Sequence, residues 1–399
     1  MPGGRILAGV AGPVILALVC HAGDPPKPPL GLIPVVWPAD NPYTPEKAAL
    51  GRYLYFEKRL SADGTVSCAT CHNPLQGFTD GAAVSTGIKG QRGNRSAPTV
   101  INRAYSLAQF WDGRAATLEE QVKGPIANPI EMGNSHDSMV ATLQKIQGYR
   151  ALFLQAFGSQ EITVDRVAQA VATFERTILS GNAPYDRYKA GDKKALSASQ
   201  VRGMRIFFDK AKCDACHEGV NFTLNAYANL GVGTDKPDPD VGRYAVTRDP
   251  ADWGAFKTPT LRDVARTRPY MHDGSLLNLH QVVNFYDKGG IPNKNLDAKI
   301  KRPRLSERRL CRESAHGPDR HVQELHRPCP GRPVPSLRAG DGVQDPRGPR
   351  GRVDRILRAP RSVSRLRPDL PDGRGNPERA GTSGRGCRHL PAWHRCCHP

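Results

Sequence analysis

The pattern Cys-x-x-Cys-His occurs twice, as Cys68-Ala69-Thr70-Cys71-His72 and as Cys213-Asp214-Ala215-Cys216-His217. No other feature of the chain constrains its fold as tightly. The pattern reads as covalent attachment of c-type haem, with two thioether bonds to one porphyrin and the adjoining histidine as proximal iron ligand. A zinc site or a redox dithiol could use the same cysteines, but a histidine directly after the second cysteine is not zinc-finger spacing. Two matches, each with its histidine in place, point to a dihaem protein.

The chain has 399 residues, enough for two domains of ordinary size. Arg5 followed by the apolar run Ile6 to Val19 has the form of a secretory signal, with cleavage after Cys20-His21-Ala22. The run is too short for a membrane span, and no other segment is long and apolar enough. Export to the periplasm suits haem attachment. The expected order is a signal over residues 1–22, a proline-rich extended lead-in over 23–44, a first haem domain over 45–190, a second over 191–300 and an atypical tail over 301–399.

A formal charge of +19 raises nucleic acid as a partner, but its distribution argues against one. Residues 301–399 hold 23 of the 57 Lys and Arg and only 10 of the 38 Asp and Glu. They also hold 14 of the 35 prolines, with few periodic apolar faces, so this tail reads as disordered.

The body reads as all-α. Thr44-Pro45 opens a helix with an N-cap and a first-turn proline. Thr163 opens a second, in which Val164, Val167, Ala168, Val171, Phe174 and Ile178 keep helical spacing. Ser197 and Gln200 form a capping box. Ser275 starts a helix bearing Leu279, Val282, Val283 and Tyr286, ended by Gly289-Gly290. Gly51-Arg52-Tyr53-Leu54-Tyr55-Phe56-Glu57-Lys58 parallels Gly203-Met204-Arg205-Ile206-Phe207-Phe208-Asp209-Lys210, each block preceding a haem motif. This repeat implies two similar domains, with a boundary between Pro184 and Ser197.

Residues 1–300 contain six histidines: His21, His72, His136, His217, His272 and His280. None lies between His72 and His136, so the first haem is expected to keep an open iron face that can meet peroxide. Cleaving peroxide needs a group that carries a proton from one oxygen to the other, and Glu131 is one candidate. On composition alone Glu131 is also an ordinary polar-loop residue.

Several further segments follow one another in order: Leu60-Ser61 through His72, Gly77-Phe78-Thr79-Asp80, Ala97-Pro98-Thr99, Phe110 to Arg114, Leu118 to Gln121, Asn128 to Gly133, Phe174 to Thr177, Thr267 to Gly274 and Phe285-Tyr286. Together they resemble the bacterial dihaem cytochrome c peroxidase/MauG family over residues 45–300. The resemblance implies two cytochrome c-like helical domains packed against each other. It implies His72 as proximal ligand of the peroxide-reacting haem, Glu131 as distal acid/base, Gln121 as its partner and Pro125 as a pocket-shaping residue. It implies Trp111 as an electron relay between the haems and His217 as proximal ligand of the electron-transfer haem.

The sixth ligand of the second haem divides this family between methionine and tyrosine. The matching position here is Tyr286, which resembles MauG-type members; Met271 is the alternative. The resemblance also implies calcium between the haems, bound by the carbonyls of Thr267 and Pro269 and by a side chain at Ser96, where the family often has asparagine. A serine hydroxyl is a poorer ligand, and Asn94 could substitute. The chain lacks the distal histidine that gates the peroxidases proper. After Ile300 the likeness stops, in the manner of a reading-frame shift or a natural disordered appendage.

The implied activity is reduction of hydrogen peroxide with electrons from a small cytochrome c or cupredoxin; a homodimer is compatible with it. The alternatives are oxidation of a partner protein's side chains, as in MauG, and a non-catalytic electron carrier or sensor.

Overall fold

Thr44 caps the first helix as the sequence requires. Its hydroxyl accepts the amide hydrogen of Lys47 at 3.1 Å, and Pro45 takes the first helical position, where a missing N–H leaves nothing unpaired. The computed structural model describes residues 23–305. The expected signal (1–22) and the tail from residue 306 lie outside the described residues.

Five helices follow α1 (Pro45–Phe56) in the first half: α2 (Cys68–Cys71), α3 (Leu118–Ala127), α4 (His136–Gln144), α5 (Gln147–Phe157) and α6 (Val164–Arg176). α1 lays Leu50, Leu54 and Tyr55 into the interior, and α6 adds Val167, Ala168 and Val171. The two helices approach so closely that a Cβ at Gly51 would lie 1.8 Å from the Ala170 carbonyl oxygen, so only glycine fits there. Thr163 caps α6 as expected, but the helix stops at Arg176 and leaves Ile178 beyond it. Arg176 grips Glu119 of α3 through two hydrogen bonds of 2.6 and 2.9 Å.

The stretch expected as a domain boundary carries α7 (Pro184–Lys189). Its Asp186 makes a two-pronged pair with Arg262, at 2.5 and 3.0 Å, and both side chains are almost wholly buried. Arg262 also donates to the carbonyls of Gly31 and Val220. One guanidinium therefore ties the lead-in, α7 and the second half together.

The second half begins with α8 (Ala198–Arg205), opened by the Ser197–Gln200 capping box and continued by a π-turn over Ile206–Lys210. A two-stranded antiparallel ribbon, β1 (Tyr227–Asn229) with β2 (Ala255–Lys257), departs from the purely helical expectation. The short α9 (Tyr244–Thr247) and then α10 (Leu279–Asp287) complete it. α10 starts later than expected. Asn278, not Ser275, is the N-cap, because its side chain accepts the Gln281 amide at 2.9 Å. The Ser275 amide is instead held by the Asp273 carboxylate in the preceding turn.

The two halves differ in their interiors. Among the described residues, every buried apolar side chain lies between Leu50 and Ala172 except Ala255. The apolar face of α10 lines a cavity instead. No helix among the described residues is long and apolar enough to cross a membrane.

Candidate haem and catalytic site

The two Cys-x-x-Cys-His segments fold alike. In each, the histidine amide donates to the carbonyl of the first cysteine, at 2.9 Å in both. His72 Nδ1 donates to the Phe78 carbonyl at 3.3 Å, and His217 Nδ1 to the Phe222 carbonyl at 3.0 Å. Since a carbonyl can only accept, each Nδ1 carries the hydrogen and each Nε2 keeps its lone pair for a metal. Burial lowers the proton affinity of both imidazoles, which keeps them neutral. None of the four cysteines forms a disulfide. Burial pushes the thiol of Cys68 up to about 12 and those of Cys71 and Cys213 to about 11, and raises Cys216 as well. Paired neutral thiols beside an oriented imidazole, in a half whose apolar side chains face a cavity, are the donor set and lining that haem requires.

A longer internal repeat frames both histidines. Pro98-Thr99 and Pro259-Thr260 each turn a threonine hydroxyl onto the backbone behind the histidine's acceptor. Thr99 donates to the Gly77 carbonyl at 2.6 Å and Thr260 to the Asn221 carbonyl at 2.7 Å. At the same offset Asn102 and Asp263 are both left-handed, as are Phe110 and Met271, and Gly113 and Gly274. The bridge Gln109–Ala115 recurs as Tyr270–Leu276. The recognisable segments of the sequence include Pro98-Thr99 and Phe110 to Arg114 from the first copy and Thr267 to Gly274 from the second, but not Pro259-Thr260. The signal for the second was the shared Pro-Thr with an Asn or Asp three residues after the Thr.

The repeat aligns Trp111 with His272, and α3 with α10. Pro125 in α3 and Tyr286 in α10 are each the eighth residue after the N-cap. The Trp111 indole donates to the Ser96 carbonyl at 2.8 Å, and the Ser96 amide donates to the His272 carbonyl at 2.7 Å. His272 stacks on Phe256 with centroids 3.6 Å apart.

A cavity of about 360 Å³ gathers much of the expected second site: Cys213, Cys216, His217, Tyr286, Met271, Trp111, Thr267, Pro269 and Ser96 all line it. Tyr286 lies near both cysteines, and its hydroxyl is held protonated chiefly by burial. Asn94 is exposed and is not part of the lining.

Gln121 and Glu131 do not line this cavity. Gln121 and Pro125 are four apart on α3 and so share a face. The following loop returns onto Pro125, whose carbonyl accepts the Met132 amide at 3.2 Å. Asn128 Nδ2 donates to Glu131 Oε1 at 2.7 Å. Burial raises the Glu131 proton affinity, opposed by the Arg114 charge and the Asn128 hydrogen bond, and Glu131 lies close enough to Cys71 to influence its thiol. The sequence did not single out Arg103 and Lys257, two cations that face the cavity. No apolar period or motif distinguishes them.

Residues 45–194 match the family model for di-haem cytochrome c peroxidase. The chain is 43% identical over 273 residues to the methylamine utilization protein MauG of Methylophilus methylotrophus, covering 67% of this chain and 80% of that protein. It is 41% identical over 247 residues to the cytochrome c551 peroxidase of Nitrosomonas europaea, covering 61% of this chain and 74% of that one. Among solved structures, a MauG-like protein associated with microbial copper homeostasis superposes with a TM-score of 0.66 at 32% identity, over 73% of this chain and 93% of that one.

Proposed function

The chain belongs to the di-haem cytochrome c peroxidase and MauG family and is a peroxidase-type oxidoreductase, and from that premise we propose that it reduces hydrogen peroxide in the periplasm at the site around His72, drawing electrons from a small cytochrome c or cupredoxin through the site around His217. The observation that carries this reading is an asymmetry between matching sites. Pro125, whose side chain has no donor atom, stands in the first half where Tyr286 stands in the second. In this reading residues 45–190 and 191–300 are the two haem domains.

Cys68, Cys71 and His72 hold one haem, and Cys213, Cys216 and His217 the other; bound there, the haems supply the redox chemistry. Glu131 moves a proton between the peroxide oxygens, and burial, which raises its proton affinity, favours the protonated form that this exchange passes through. Asn128 fixes the carboxylate, and Gln121 is the partner of Glu131 in this role. Trp111 stands between the sites with its N–H anchored on Ser96. Tyr286 would hold the second haem from the cavity side, with Met271, which also lines the cavity, the alternative. Thr267, Pro269 and Ser96 would hold calcium.

Tyr286 also favours a second reading, oxidation of side chains on a partner protein, as a MauG-like enzyme would perform. One assay separates the two. Peroxide-dependent oxidation of reduced small cytochrome c over many turnovers supports the first reading. Activation by peroxide without cytochrome turnover, but with covalent change in a partner protein, supports the second.

A further inference from the structure

Arg103 and Lys257 come from opposite halves and face the same cavity. Lys257 is 4% exposed. Its Nζ reaches the Ser106 hydroxyl at 3.4 Å, and Arg103 Nη1 reaches the same oxygen at 3.4 Å. Arg103 Nε donates to the Thr99 carbonyl, and the Lys257 amide donates to the Trp111 carbonyl at 2.7 Å. Among the described residues neither side chain has a salt-bridge partner. The carboxyl that acts on Arg103 is Glu175, whose proton affinity burial pushes up to about 8 against the charges of Arg176 and Arg103, so burial disfavours the carboxylate form that would offset Arg103. Burial, then the charge of Arg103, drives the Lys257 ammonium well below its ordinary range. Two desolvated cations that share one hydroxyl are stable as charges only with an anion between them.

We propose that Arg103 and Lys257 form an anion clamp for the two propionate carboxylates of the haem attached at Cys213 and Cys216, and that the clamp raises that haem's reduction potential. Two cations meet two carboxylates, and the pair lines the cavity that Cys213, Cys216 and His217 also line. The inference rests on the haem-binding reading above. A cation beside a propionate stabilises the more negative, reduced haem, so removing it lowers the potential.

The test is a potentiometric titration of the holoprotein as wild type, Lys257→Met and Lys257→Arg, with haem counted in each. The expected result is two haems in every variant, a lower second-haem potential in Lys257→Met and a wild-type potential in Lys257→Arg. Arg103→Gln is the second variant and is expected to shift the potential the same way. An unchanged potential in a Lys257→Met or Arg103→Gln protein with both haems overturns the clamp. So does a Lys257→Arg protein shifted as far as Lys257→Met. A wild-type potential that moves with added inorganic phosphate at constant ionic strength assigns the pair to a diffusible anion and also overturns it. Wild type without haem overturns the functional reading instead.

Discussion

Pro125 and Tyr286 occupy equivalent places in two halves that repeat each other, one with no ligating atom and one with a phenol oxygen. The backbone around them is shared down to the left-handed residues Phe110 and Met271. In the proposed mechanism this single difference divides the labour, since an open iron reacts with peroxide while a six-coordinate one transfers electrons.

Tyr286→Phe therefore changes the ligand-sensitive absorption and magnetic spectra of the second haem, and Met271→Leu leaves them as in wild type. The reverse pattern assigns the sixth position to Met271.

Glu131→Gln keeps the shape and the Asn128 contact but removes the transferable proton. Peroxide turnover is expected to fall by about 10²- to 10⁴-fold, the usual worth of a positioned acid/base, with haem content and spectra intact. A loss of only a few-fold removes Glu131 from the mechanism.

The Asp186–Arg262 pair predicts a large stability effect. Arg262→Met leaves a buried carboxylate unpaired and is expected to cost about 3–5 kcal/mol in denaturant unfolding, whereas Asp186→Leu combined with Arg262→Met recovers much of that loss. A single variant as stable as wild type contradicts the assigned role of Arg262 in tying the lead-in, α7 and second half.

Glu175 gives a pH dependence with a definite sign. Its carboxyl binds a proton more tightly folded than unfolded, shifting from 4.5 to about 8, because it is buried. The stability this contributes is complete below pH 4.5 and is lost as pH rises towards 8, by at most about 1.4 kcal/mol per pH unit. Glu175→Gln is expected to flatten that slope in thermal unfolding between pH 5 and 8. Equal slopes in both proteins contradict it.

Much of this was legible in the sequence because it is written in local chemistry. Thr44, Thr163 and Ser197 cap helices through their own hydroxyls, and the two Cys-x-x-Cys-His segments fold by bonds within a few residues. The start of α10 was misplaced because Ser275 and Asn278 both suit an N-cap, and the Asp273 carboxylate claims the Ser275 amide. The ribbon β1–β2 is three residues long on each side and too short to show an alternating pattern. Arg103 and Lys257 were invisible because their meeting depends on the packing of the halves.

The most direct test is the electron paramagnetic resonance spectrum of the purified ferric protein, with haem quantified. The account predicts two haems per chain, one high-spin with an open face and one low-spin. Two fully six-coordinate low-spin haems, or a chain without haem, contradict it.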